Sequence, residues 1–418
     1  MKHSTYINND VNSKQTSISK PKRLWLALIL GILSAFGPFS LDMYLPALPI
    51  LADDLHTTTS YAQLSLTACM FGLAIGQIIA GPLSDMKGRR YPLIIGLLLY
   101  IASSILCIVS PSIETFIVLR FIQGAAGAAG IVISRAMVRD LYSGTELTKF
   151  FALLMLVNGA GPIIAPVVGG QLLHFTSWRG VFLILSLIGV VTLIGVTFGL
   201  DETLSKENRT TGGFKQIIQT YRHILKDRVF MGYVFAQSLV GAAMFAYISG
   251  SPFVLQKIYH LSPQMFSLCF AVNGAGIIIA SQLTGRLVER INETKLLITG
   301  LGLAAMAGVS LLVAILIDAH LLGVLIPLFI LVSCVGIVNT TTFALAMKNK
   351  AKSAGSASSL FGLITFLLGG LLAPLVGIAG ENTAIPMGIV IALADIGALL
   401  VYILVVRNKR LYSYEKGE

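Results

Sequence analysis

Charge is scarce in this sequence. Asp, Glu, Lys and Arg supply 12% of 418 residues, against about 25% in soluble proteins. A soluble chain of this length would lack the charge to cover its surface. Disorder is excluded as well, because 55% of the residues are hydrophobic. Cysteine is also rare. Cys69, Cys107, Cys269 and Cys334 all lie inside apolar runs, none at zinc-ligand spacing. That excludes a disulfide scaffold and a zinc module, and they read as small packing residues. No G-x-x-x-x-G-K-[ST] loop, nucleophile elbow or histidine cluster occurs. His174, His260 and His320 stand singly. No catalytic or metal-binding residues and no cofactor are therefore expected, and any driving force comes from an ion or substrate gradient.

What the sequence has is apolar length. Mean hydropathy is +0.83, and 41 residues are glycine. The solvent for most of the chain is lipid. The net charge of +11 does not indicate nucleic acid, because the basic residues sit in short clusters between apolar runs. About 20 apolar residues cross a bilayer as a helix. Twelve runs qualify, at 24–46, 60–82, 91–110, 113–136, 150–172, 180–200, 229–250, 264–286, 294–317, 320–347, 354–378 and 382–406. A transmembrane barrel would show short alternating segments instead. Residues 1–23 are polar, and the first run leads into Asp42 and prolines rather than a cleavage site. They read as a cytoplasmic tail preceding a retained helix.

Basic residues set the orientation. With the N-terminus inside, 27 of the 30 Lys and Arg fall in inside segments. Only Arg179 and Lys257 lie in outside loops, and Arg120 lies within a span. The positive-inside rule then places both termini in the cytoplasm. The polar stretch 201–228 divides the chain into an N-terminal half, 24–200, and a C-terminal half, 229–406, with a short tail at 407–418. The halves echo one another. Ala165-Pro166-Val167-Val168-Gly169 recurs as Ala373-Pro374-Leu375-Val376-Gly377, and Pro46 corresponds to Pro252. A shared offset suggests a duplicated six-helix unit.

Three motifs carry more. The loop after the second span reads Gly81-Pro82-Leu83-Ser84-Asp85-Met86-Lys87-Gly88-Arg89-Arg90. Its spacing resembles the signature of the major facilitator superfamily between helices two and three. Met86 departs from it where the family usually has Arg. The fourth span holds Arg120-Phe121-Ile122-Gln123-Gly124, similar to the superfamily's helix-four motif, which is associated with proton transfer. An arginine inside a span costs about 2.5–3.5 kcal/mol on an insertion scale, so it needs an interior partner. Asp42 is the expected one. At 1.5 Å per residue, Asp42 sits about 27 Å up its helix and Arg120 about 10 Å below the outer edge. The fifth span reads Gly161-Pro162-Ile163-Ile164-Ala165-Pro166-Val167-Val168-Gly169-Gly170. Its small residues 161, 165 and 169 form a face for close packing, and its two prolines suit a bending gate. It resembles the antiporter signature in the form of the Bcr/CflA drug-resistance subfamily. Asp42-Met43-Tyr44-Leu45-Pro46 and Ser251-Pro252-Phe253 resemble that subfamily too. The resemblance runs from about residue 24 to 406.

The resemblance implies an all-α polytopic membrane protein of the major facilitator fold, with twelve helices in two six-helix halves around a cavity. It implies a monomer in the cell membrane that exports small lipophilic drugs in exchange for protons by alternating access. Asp42 and Arg120 would couple protons. Gly81, Asp85, Gly88, Arg89 and Arg90 would form the cytoplasmic gate. Phe39, Tyr44, Gln123, Met155, Asn158, Phe245, Tyr247 and Asn273 would contact substrate, although Asn158 and Asn273 equally suit interhelical hydrogen bonds. Export of a metabolite such as a sugar, amino acid or small peptide is the alternative. Asp395, in the last span, has no assigned role.

Overall fold

A computed structural model describes residues 20–142, 144–209, 222, 224–348 and 354–407. Of the tails expected at 1–23 and 407–418 and the linker expected at 201–228, residues 1–19, 210–221, 223 and 408–418 lie outside the described residues; the first helix already begins at Lys20, inside the expected tail. Among the described residues there are only helices, twelve long and one short. The first half contains α1 (Lys20–Asp42), the short α2 (Leu48–Asp54), α3 (Thr59–Lys87), α4 (Arg90–Ile108), α5 (Ile113–Leu141), α6 (Gly144–Leu172) and α7 (Trp178–Gly199). The second contains α8 (Arg228–Phe253), α9 (Pro263–Leu287), α10 (Glu293–Leu316), α11 (Leu321–Met347), α12 (Ala354–Leu372) and α13 (Ile385–Val401). Among the described residues eleven stretches are long and apolar enough to cross a membrane, and α6, at 29 residues, is a twelfth long helix.

Local chemistry sets the helix starts. The side chains of Thr58, Ser112, Asp227, Ser262 and Asn292 each accept a backbone N–H at the start of α3, α5, α8, α9 and α10. These N-caps satisfy donors that a first turn leaves open. The first span does not stop at residue 46 as expected. Its α-helix ends at Asp42, turns through Leu45–Ala47 and continues as α2. Pro46 has no N–H for the carbonyl of Asp42, so the helix cannot run on through it.

The internal repeat diverges in shape. In the first half α6 runs through Pro162 and Pro166 without interruption. In the second, α12 ends at Leu372 and Ala373–Gly377 tightens into a 3-10 turn. The small face of α6 packs as expected, and its target is α1. A Cβ on Gly161 would lie 2.8 Å from Pro38 Cβ. One residue beyond Gly169, Gly170 faces Pro263 and Ser267 of α9, so α6 touches both halves.

The apolar core has a telling distribution. One cluster includes Leu41, Leu66 and Phe182 from the first half and Ala246, Phe266 and Met387 from the second. It fuses the halves at the end away from the basic loops. Toward the basic loops the core divides in two. Leu30, Leu93, Met137 and Leu200 belong to a cluster of the first half alone. Tyr233, Leu301, Phe361 and Tyr402 belong to one of the second half alone. Hydrogen bonds agree. Among the described residues, those that join the halves run from Gln63 to the Ser249 carbonyl (3.1 Å), Gln256 to the Pro46 carbonyl (3.2 Å), Gln264 to the Gly170 carbonyl (2.9 Å) and Lys257 to the Asp53 carboxylate (2.7 Å and 3.0 Å). All lie at the fused end. The bundle is closed at one end and split at the other.

Candidate functional site

Arg120 on α5 is fully buried. The break in α1 explains its position. Where α1 unwinds at Tyr44, the Ser40 carbonyl loses its helical donor, and the Arg120 guanidinium donates to it at 2.6 Å. Arg120 also donates to the Gln123 side-chain oxygen. Its guanidinium carbon stands 4.4 Å from the Tyr44 ring centre and 5.5 Å from that of Phe182. Two oxygens and two aromatic faces thus hold the cation. The network continues outward. Gln123 donates to Ser104 (2.7 Å), Ser104 to the Tyr100 carbonyl (2.7 Å), and Tyr100 and Ser40 share a hydrogen bond (2.8 Å).

The expected Asp42–Arg120 ion pair is not formed. Both residues sit toward the same end, as the depth arithmetic required, but the planar fork of Arg120 is taken by Ser40 and Gln123. Asp42 is itself buried, and its carboxyl has no hydrogen-bond or ionic partner among the described residues. It lies within electrostatic range of Cys69 on α3 and Tyr247 on α8. The carboxyl therefore stands at the seam between the halves.

The structure separates the predicted substrate residues. Tyr44 and Gln123 are fully buried and engaged with Arg120, so they shape the cation's pocket and do not line an open cavity. Asn273 donates to the Tyr247 hydroxyl at 2.9 Å, both buried, an interhelical bond between α9 and α8. Phe39 and Phe245 are half-buried and pack on the shared core. Phe245 meets Phe366 at 5.6 Å between ring centres and faces Gly369 of α12, which also faces Met70 of α3. These apolar side chains lie where the split begins. The side chains of Met155 and Asn158 lie outside the described residues. Asp395 is buried on α13 against Gly308 of α10, and neither of its oxygens has a hydrogen-bond partner among the described residues. It sits inside the second half, away from the seam.

At the basic end the loop 81–90 folds onto its own half. Arg89 donates to Asp140 at the end of α5 (2.8 Å) and to Ser84 (2.9 Å), and pairs with Asp85. Arg90 donates to the Thr197 carbonyl at 2.5 Å. Gly81 stands near Val132, and the Met86 side chain is exposed. Three participants escaped sequence reading: Asp140, Glu202 and Thr203. The Glu202 carboxylate accepts the backbone N–H groups of Arg89 (2.8 Å), Leu204 (3.0 Å) and Arg90 (3.2 Å). Thr203 donates to Asp140 at 3.0 Å. The start of the linker is thus strapped to the N-terminus of α4, where open N–H groups favour an anion. Burial alone would push the Glu202 carboxyl up, but the N–H groups of Arg89, Leu204 and Arg90 hold it below the usual range. A lowered pKa means that strapping is complete at neutral pH and is lost only as pH falls below the ordinary carboxylate range.

Gly88 makes that contact possible. Its φ is +90°, and a Cβ there would meet Glu202 and Arg209. Gly88→Ala is expected to undock the strap and to destabilise the protein by about 1–2 kcal/mol through the left-handed backbone. Faster limited proteolysis between 201 and 209 and a lower thermal midpoint would register it. Unchanged cleavage would mean that the strap does not depend on this turn.

A family comparison decides what such a molecule is. The family model described as Major Facilitator Superfamily matches residues 25–374. The chain belongs to the major facilitator superfamily. This transporter is 45% identical over 381 residues to an uncharacterized transporter of the superfamily from Bacillus subtilis, with 90% of this chain and 94% of that one covered. It is 32% identical over 382 residues to a bicyclomycin resistance protein homolog of Haemophilus influenzae, with 91% and 96% covered. The crystal structure of a D-xylose–proton symporter shares the fold, with a TM-score of 0.71, 16% identity and coverage of 92% and 97%. The transporter is a multi-pass membrane protein and not an enzyme.

Proposed function

We propose that the transporter exports small, mainly lipophilic drugs in exchange for protons. The observation that carries this reading is the Asp42 carboxyl, without a partner among the described residues and buried at the seam above the split. A carboxyl there meets substrate and proton from one cavity, so each can displace the other. The resistance-protein relative and the half-buried Phe39 and Phe245 support an apolar drug as cargo. The basic loops at the split end support a cytoplasmic position for it. The described conformation is then inward-facing, with the outer end sealed. Drug enters from the inside, the halves rock, and drug leaves outward while Asp42 takes a proton inward. Arg120 anchors the end of α1 and so fixes where Asp42 stands.

Everted membrane vesicles test this directly. Bicyclomycin and chloramphenicol are expected to accumulate when a proton gradient is imposed and to stop when a protonophore is added. Accumulation of sugars, amino acids or small peptides with neither drug transported would favour the metabolite exporter. A cysteine placed at His56 is expected to react with an impermeant reagent from outside intact cells. Reaction only after permeabilisation would reverse the orientation.

A further inference from the structure

The sealed end contains an arrangement that drug recognition does not use. Two adjacent acids close the short helix α2, and each faces a different half. Asp54 accepts from Trp178 Nε1 (2.9 Å) and pairs with Arg179 (2.5 Å), both on α7 of its own half. Arg179 is locked in turn, donating to the Ile108 carbonyl at 3.1 Å and lying over the Trp178 ring at 4.3 Å. Asp53 reaches the other way. It pairs with Lys257 of the second half at 2.7 Å and 3.0 Å. Arg179 and Lys257 are the two basic residues of the outer loops, and each takes one of these acids.

The chain around Lys257 is built for this reach. α8 does not end as an α-helix. Val254–Ile258 forms a five-residue π-helical turn, a wider winding often found at functional positions. It presents Gln256 to the Pro46 carbonyl and Lys257 to Asp53. Lys257 also has a second acid within reach, Glu381 of its own half, at 3.6 Å. One cation thus has an acid on each side of the seam.

We propose that α2 is a clasp for the outer end of the transporter. Asp54 ties it to the first half through two partners, Trp178 and Arg179. Asp53 is its releasable hook on Lys257, and Glu381 takes over Lys257 when the outer end opens. The proposal rests on alternating access as read above, and it adds which contacts must break and which partner receives the freed charge. Lys257, Asp53 and Glu381 are 31%, 61% and 41% exposed. Exposed pairs contribute little each, so the clasp biases the equilibrium and does not lock it. A bias of that size suits an end that must open in every cycle.

Opening can be measured without substrate or gradient. In a chain with its four cysteines replaced by alanine, Ser251→Cys reports on the seal. Ser251 is fully buried. In detergent both ends meet the reagent, so membrane orientation does not enter. Asp53→Asn and Lys257→Gln are each expected to speed maleimide labelling up to about fivefold. The double variant should be no faster than either single one, as for two residues acting through one contact. Glu381→Gln, which removes the competing acid, should slow labelling. High salt should narrow all these differences. Hydrogen exchange of Leu48–Asp54 and Val254–Ile258 in the otherwise natural chain gives the same ranking if the cysteine-free protein does not fold. Equal rates in Asp53→Asn and the parent, or acceleration by Glu381→Gln, would overturn the clasp while leaving the efflux reading standing. Loss of drug transport with the labelling order intact would do the reverse.

Discussion

Asp42→Asn is expected to abolish proton-driven drug accumulation, to the level set by leak, while drug binding persists. The substitution keeps the size and outline of the side chain and removes only its titration. Asp42 makes no hydrogen bond or ion pair among the described residues, so replacing it breaks nothing in this conformation. The variant should therefore keep its membrane level and thermal midpoint. Binding measured against pH should show one substrate-linked titration in the wild type and none in Asp42→Asn. A variant that still drives uphill efflux would remove Asp42 from the coupling role. Asp395 would be a poor replacement, because it is sealed within the second half.

Arg120→Ala is expected to fail differently. It deletes two charge-assisted hydrogen bonds, each worth about 1.5–3 kcal/mol, and strips the facing rings of Tyr44 and Phe182. The Ser40 carbonyl and Gln123 lose their donor in a buried setting. Destabilisation of about 3 kcal/mol or more should follow, with loss of transport because the end of α1 is released. Arg120→Lys should recover little. An ammonium has the charge but not the planar fork that spans Ser40 and Gln123 while lying on an aromatic face. Thermal unfolding in detergent separates the two residues. A large fall for Arg120→Ala beside no change for Asp42→Asn fits the geometry. A normal midpoint for Arg120→Ala, with a shifted pH profile of binding, would restore a direct pair between them.

The sequence made the spans legible because lipid imposes a length and a polarity on each helix that no other solvent does. It also showed where the basic loops lie and which small residues of α6 face a close neighbour. Depth along a helix follows from counting residues, so Asp42 and Arg120 were placed at the same end. Azimuth does not follow from counting. The Arg120 partners depend on the unwinding at Tyr44, which frees a backbone carbonyl that no side-chain pattern marks. Tyr44 and Gln123 were read as substrate contacts for the same reason. Glu202 was invisible because its partners are main-chain N–H groups. An acid two residues past the sixth span is the signal that the sequence held. The repeat around Pro166 and Pro374 shows the opposite limit. Matching residues give a continuous helix in one half and a 3-10 turn in the other.

Purified transporter in liposomes, with no gradient imposed and a pH-sensitive dye enclosed, addresses the central claim most directly. Adding drug to the side facing the basic loops should drive protons out through that side as drug displaces the proton from Asp42, and the signal should vanish in Asp42→Asn and with a protonophore. Drug flux with no accompanying proton movement in the wild type, or the same proton movement in Asp42→Asn, would contradict the account.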